Sequence, residues 1–157
     1  MLKTKRRIRL CAVLLGANLL FIWGNSLMPG AVSGALSGRI GEALRFLLGI
    51  PVNEAPGGPH LLRKLAHFSE FACLGLLLCW LAGMMGEKSF HLAVLPLLGA
   101  LAAACVDETI QMAVPGRCSS LKDVWIDTCG AAAGIIILLL GHYFVSSNHL
   151  HFRRKQQ

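Results

Sequence analysis

The sequence predicts an all-α membrane protein with four transmembrane helices, both termini cytoplasmic, and an interfacial helix in the first external loop. Three observations carry this expectation. Apolar runs at Ile8–Leu27, Phe68–Met85, Leu92–Val106 and Val124–Val145 approach or reach the length of a bilayer crossing, which takes about 20 residues. The third run reaches it only by continuing through Asp107–Gln111. Charged residues make up only 15% of the 157-residue chain and the mean hydropathy is +0.61, against about 25% charged residues in an ordinary soluble domain. The basic residues, finally, are distributed unevenly. The chain therefore reads as a single transmembrane domain over residues 1–157, with spans near 8–27, 66–85, 92–111 and 124–145.

The net charge of +7 would point to nucleic acid in a soluble protein. Here it reports topology. Four spans put both ends on one side, where Lys3, Lys5, Arg6, Arg7, Arg9, Lys88, Arg153, Arg154 and Lys155 make nine basic residues against one acid, Glu87. On the other side Arg39, Arg45, Arg63, Lys64, Arg117 and Lys122 are spread over longer loops and mixed with acids. The positive-inside rule places the termini in the cytoplasm of a plasma membrane crossed several times. No nucleic-acid partner is expected. A secretory signal is the competing reading of the amino-terminal segment, but the run is longer than a usual signal core and Ala31–Ala35 is a weak cleavage site, so the segment is expected to be retained.

The first span stops at Ser26-Leu27-Met28-Pro29-Gly30. Beyond it Val32, Leu36, Ile40, Ala43, Leu44 and Leu47 recur at helical steps opposite Ser33, Ser37, Gly41 and Arg45, which suggests a helix lying in the outer interface or tucked against the bundle. Pro51–Pro59 is a turn-rich linker. The second spanning helix starts near His60 and ends at Gly83 and Gly86, and the third contains Pro96. Pro115-Gly116 forces a turn. Ser119 or Ser120 caps the fourth helix, with Asp123 in its first turn. Gly130 and Gly134 form a G-x-x-x-G pair that permits close helix packing.

Of the six cysteines none falls in a metal-binding spacing. Cys11, Cys73, Cys79 and Cys105 lie within spans as small apolar residues, while Cys118 and Cys129 near the outer face are close enough in topology for a disulfide to be considered. Trp23, Trp80 and Trp125 fit an aromatic belt. His142, His149 and His151 read as solvated tail residues.

The chemistry-bearing residues are elsewhere. Glu70, Asp107, Glu108, Asp123 and Asp127 all fall where spans begin or end, although an ionisable group at a helix centre costs about 2.5–3.5 kcal/mol by insertion scales. Lys64, His67, Glu70, Phe71 and Leu74 share one helical stripe; Asp107 and Glu108 lie within a turn of Gln111; Asp123 and Asp127 are four apart. Topology gathers all of them into one external layer. Carboxylates with a histidine suit a divalent cation, and His67, Glu70 and Asp107 are the expected ligands. His67, Glu70, Asp107, Glu108 and Asp123 are the candidate acid–base groups. Lys64, Gln111, Arg117, Ser120 and Asp127 are the candidate binding residues, with Lys64, Arg117 and Lys122 suited to a phosphate. The opposing reading is an ion-pair network in which Glu70 or Asp107 neutralises Arg117 or Lys64, Asp123 is a cap and Gln111 an interhelical hydrogen bond. Five acids against two to four nearby bases are hard to silence by pairing alone.

These residues resemble the VanZ-like family of small bacterial membrane proteins. RKLAHFSEFACLG matches its RK-x-x-HF-x-E-[YF]-x-x-LG stretch at Arg63, Lys64, His67, Phe68, Glu70, Phe71, Leu74 and Gly75. DETIQMAVPGR and the following DVWID match DE-x-x-Q-x-x-x-PGR-x-x-x-x-x-DV-x-x-[DN] at Asp107, Glu108, Gln111, Pro115, Gly116, Arg117, Asp123 and Asp127. Ser26 beside Pro29 fits the pattern as well, and Phe71 stands where tyrosine is commoner. The resemblance implies a protein of the bacterial cell envelope, associated with teicoplanin resistance without making altered peptidoglycan precursors. Its implied partners are membrane lipids, a lipid-linked cell-wall precursor or a lipoglycopeptide. It implies no particular reaction, so catalysis and non-catalytic binding both stay open.

Overall fold

The computed structural model describes residues 2–51, 57–87 and 89–154, with side chains given except at Lys3, Ser89 and from 145 onward. Most of the Pro51–Pro59 linker, Lys88 and Lys155 of the basic count, and the side chains of His149, His151, Arg153 and Arg154 therefore lie outside the described residues. Five helices follow in order: α1 (Leu2–Ser26), α2 (Gly30–Leu48), α3 (Gly58–Met85), α4 (Ser89–Met112) and α5 (Leu121–Arg154). No strand occurs among the described residues. Four helices are long and apolar enough to cross a membrane: Thr4–Ser26, Gly58–Met85, Phe90–Met112 and Leu121–Phe144.

The helices outrun the apolar runs that announce them. Lysine and arginine are good helix formers, so α1 begins at Leu2 rather than near residue 8. Pro59 in the first turn of α3 starts that helix at Gly58, close to the expected start near His60 and ahead of the span at 66. α5, with no Pro or Gly stop after Gly141, continues to Arg154 rather than ending at 145. Pro96 inside α4 removes the hydrogen bond that the Leu92 carbonyl would accept. The Cys79 thiol of α3 donates to that carbonyl at 3.4 Å.

The tightest pair is α3 with α5, and glycine makes it so. A Cβ added at Gly130 would meet the Phe68 carbonyl, one at Gly134 the Ala72 carbonyl, and one at Gly75 the Ala131 backbone. The G-x-x-x-G pair thus acts across α3, with Gly75 answering from the other side. Around this seam Ile22, Phe71, Leu74, Ala100, Ala104 and Ala131 form the core. Leu20, Phe21, Leu98, Ile137 and Phe144 point outward, as a lipid-facing surface requires.

α2 packs on α3, and it does so with the face a soluble protein would expose. Ser33, Ser37 and Gly41 are buried, while Val32 and Leu36 are about half exposed and Leu47 more so. Small residues let the backbones approach, and the Ser37 hydroxyl is satisfied by donating to the Ser33 carbonyl at 3.0 Å. Gly49, at φ 69°, ends the helix.

Candidate functional site

The end of α1, the start of α3, the end of α4 and the start of α5 meet at one end of the bundle. The loop between α4 and α5 locks that end. The Gly30 N–H donates to the Pro115 carbonyl at 3.1 Å. A Cβ on Gly30 would collide with the Gly116 carbonyl, and Gly116 itself sits at φ 74°, so both glycines are required for this approach. Arg117 then reaches under the end of α1: Nε donates to the Met28 carbonyl at 3.1 Å and an Nη to the Asn25 carbonyl at 2.6 Å. A cation on the unpaired carbonyls of a helix end is favourable. Burial lowers the Arg117 pKa from its ordinary value, assisted by the Arg63 charge and opposed by Asp107, Glu108 and Glu70. Arg117 is therefore a clamp on α1, with its second Nη lacking a hydrogen-bond partner.

Glu108 has a comparable task. One of its oxygens accepts from the Ser119 hydroxyl at 2.6 Å and the Ser120 N–H at 2.8 Å, which ties the loop to the entry of α5. Ser120 is the cap of that helix, its hydroxyl accepting from the Lys122 N–H at 3.1 Å. Asp123, in the first turn, pairs with Lys64 at 2.8 Å. Of the two pairings considered for Lys64, neither Glu70 nor Asp107 is its partner; it reaches across to α5 instead.

Inside this frame lies a smaller set. Asp107 is fully buried and Asp127 is 2% exposed. The Gln111 amide donates to Asp107 Oδ2 at 2.7 Å and to the Ser26 hydroxyl at 3.2 Å, bridging α4 to α1. Asn25 donates to Glu70 Oε1 at 2.8 Å, bridging α1 to α3. His67 Nδ1 stands 3.7 Å from Glu70 Oε2 and 4.0 Å from Asp107 Oδ2. Among the described residues, His67 Nδ1, Glu70 Oε2 and Asp107 Oδ1 are buried without a hydrogen-bond partner.

Two openings meet at His67 and Arg63. One is a polar cleft of about 20 Å³ whose walls include Lys64, Glu108, Gln111, Asp123 and Asp127, roomy enough for about one water molecule or ion. The other is a groove of about 340 Å³ between α2 and α3, walled by Leu36, Ile40, Leu62 and Leu65 and ending on Asn25, Glu70 and Arg117. The ligand atoms that converge are those of His67, Asp107 and Asp127, all within 4.8 Å of one another. The expected set named Glu70, whose Oε2 stands 3.7 Å from His67 Nδ1, where this group has Asp127. Glu70 is held by Asn25 and lines the groove, whereas Asp127 enters the cleft from α5.

A family model matches residues 11–142 under the description VanZ/LLP1. The chain belongs to the VanZ/LLP1 family. No curated protein and no solved structure matches it. The matched region holds every VanZ/LLP1 residue discussed above, from Asn25 to Asp127. Within it, the PGR of Pro115–Arg117 is the loop clamp, and His67, Glu70, Asp107 and Asp127 form the buried polar centre. Asn25 was not foreseen as a site residue, although a lone amide in the last turn of an apolar span is a signal of interhelical bonding. Arg63, noted in the first of the two stretches, and Ser119, noted as a candidate cap, were not assigned to the site from sequence.

Proposed function

We propose that this VanZ/LLP1 protein binds an amphiphilic, anionic component of the bacterial envelope at the outer face of the plasma membrane, with both termini cytoplasmic. The head group would sit against Arg63, His67 and Arg117, and the hydrocarbon chain along the α2–α3 groove. The observation that carries this reading is the groove itself: about 340 Å³, lined by Leu36, Ile40, Leu62 and Leu65 together with Ser33 and Ser37 and with the polar groups of Arg63, His67, Glu70 and Arg117, within the range of about 300–1,000 Å³ typical of ligand pockets. In this picture α2 lies at the outer interface, presenting Val32, Leu36 and Leu47 to lipid. The ligands that fit are a membrane lipid, a polyprenyl-linked cell-wall precursor or an acylated glycopeptide such as teicoplanin. His67 and Glu70, at the polar end, are the groups placed to exchange a proton with the head group.

An ion-pair network is the second reading, and it accounts for Lys64 with Asp123. It reaches His67 and Glu70 through their 3.7 Å contact, but it does not account for the unpartnered Oδ1 of Asp107. The test is retention of ligand by the purified protein in native mass spectrometry. Polyprenyl phosphate, phospholipid, teicoplanin and a glycopeptide lacking the acyl chain would be compared, alongside teicoplanin susceptibility of cells with and without the gene. Binding of an acylated or prenylated ligand that weakens in Leu36→Ser with Ile40→Ser supports the proposal. Equal, negligible retention of all four removes it.

A further inference from the structure

We infer that His67, Asp107 and Asp127 form a binding site for one divalent transition-metal cation, with the cleft as its entry. One ligand atom from each residue lies within 4.8 Å of the others. Bonds of about 2.0–2.2 Å to nitrogen and carboxylate oxygen in a tetrahedral set put the ligand atoms of one ion about 3.3–3.6 Å apart, so inward shifts of up to just under about 1 Å at each side chain complete the set. The three come from three different helices, α3, α4 and α5, of which α3 and α5 are held together by the glycine seam; the ion would tie α4 to that pair.

The polar atoms at this point are otherwise unexplained. Asp107 is fully buried, and the Gln111 amide occupies only its Oδ2. Its Oδ1 and the His67 Nδ1 have no hydrogen-bond partner, although an unsatisfied buried polar atom is costly. Gln111 supports the ligand carboxylate from outside, the arrangement by which metal sites orient their ligands. The cleft beside them has space for about one ion or water, about 20 Å³.

Charge points the same way. Glu70, Asp107, Glu108, Asp123 and Asp127 face Arg63, Lys64 and Arg117 around this centre, five carboxylates against three bases. One imidazole and two carboxylates favour Mn²⁺ or Zn²⁺ over Mg²⁺ or Ca²⁺.

The inference rests on the cleft, not on an amphiphile, and the experiment contains none. Full-length protein in lipid nanodiscs is stripped with chelator and dialysed against Mn²⁺, Zn²⁺ or Mg²⁺, and the retained metal is counted by mass spectrometry. Mn²⁺ or Zn²⁺ should be retained at about one equivalent, and Asp107→Asn and Asp127→Asn should each weaken binding at least about tenfold. Pulsed electron paramagnetic resonance of the Mn²⁺ form should show a directly bound imidazole nitrogen that disappears in His67→Ala and persists in His142→Ala/His149→Ala/His151→Ala. Where a cleft variant fails to fold, the wild-type count and nitrogen signal decide alone. Retention well below one equivalent for both transition metals, as expected if protons neutralise the acids, would overturn the site. A nitrogen signal abolished by the tail variant would do so too.

Discussion

Gln111 on α4 divides its side-chain amide between Ser26 on α1, at 3.2 Å, and Asp107 one turn below it, at 2.7 Å. Both acceptors are fully buried, so this one side chain joins two spanning helices and fixes the orientation of the most buried carboxylate among the described residues. Gln111→Leu keeps the volume and removes both donors. Leaving Ser26 and Asp107 unsatisfied should cost about 1–3 kcal/mol, seen as a lower unfolding midpoint in detergent. An unchanged midpoint would mean that the acceptors find other partners and that Gln111 does not orient Asp107.

Much of the bundle was legible before any coordinates: the four spans, the G-x-x-x-G contact, the Gln111 bridge and the capping of α5 by Ser120. What was not legible has specific causes. Spacing fixes which residues share a face of one helix, but not how far that helix is rotated against its neighbours. Glu70 was therefore placed with His67, as it is at 3.7 Å, but the rotation of α5 that also brings Asp127 to His67 and Asp107, and the hold of Asn25 on Glu70, could not be read from spacing. The orientation of α2 was open for another reason. An apolar stripe means a buried face only where the alternative is water; beside lipid, Ser33, Ser37 and Gly41 pack inward because they are small.

The glycine seam yields a prediction with a built-in control. A side chain at Gly134 has nowhere to go but into the α3 backbone at Ala72, whereas Gly141 on the same helix has nothing within 4 Å. Gly134→Leu should separate α3 from α5 and cost at least about 1–3 kcal/mol, the usual penalty of overpacking. Gly141→Leu should leave the unfolding midpoint within about 0.5 kcal/mol of the parent. Equal effects of the two would mean that α3 and α5 do not pack at this distance.

Arg117 offers a test of geometry against charge. Its guanidinium spans the Met28 and Asn25 carbonyls with two different nitrogens, a reach that a single ammonium group does not reproduce. Arg117→Lys should therefore lose about 1–2 kcal/mol despite keeping its positive charge. The loop over 113–120 should be cut faster by limited proteolysis. Arg117→Lys with parental stability and protease resistance would show that charge at the end of α1, rather than the two-carbonyl clamp, is what matters.

The proposed orientation is checked through Cys118, which is exposed in the loop at the site end of the bundle. The start of α1 and the end of α5 lie at the opposite end, because each of these helices runs the full length of the bundle. With both termini cytoplasmic, a variant retaining only Cys118 should react in intact spheroplasts with a membrane-impermeant maleimide. A cysteine introduced at Thr4 should react only after the membrane is broken. The charge pattern supports this direction: Lys5, Arg6, Arg7 and Arg9 cluster at the amino-terminal end, while Lys64, Lys122 and Arg117 stand among acids at the other. Labelling in the reverse order would place the His67–Asp107–Asp127 cleft on the cytoplasmic side. An extracellular glycopeptide could not then reach it, and the binding proposal would have to be withdrawn for that ligand.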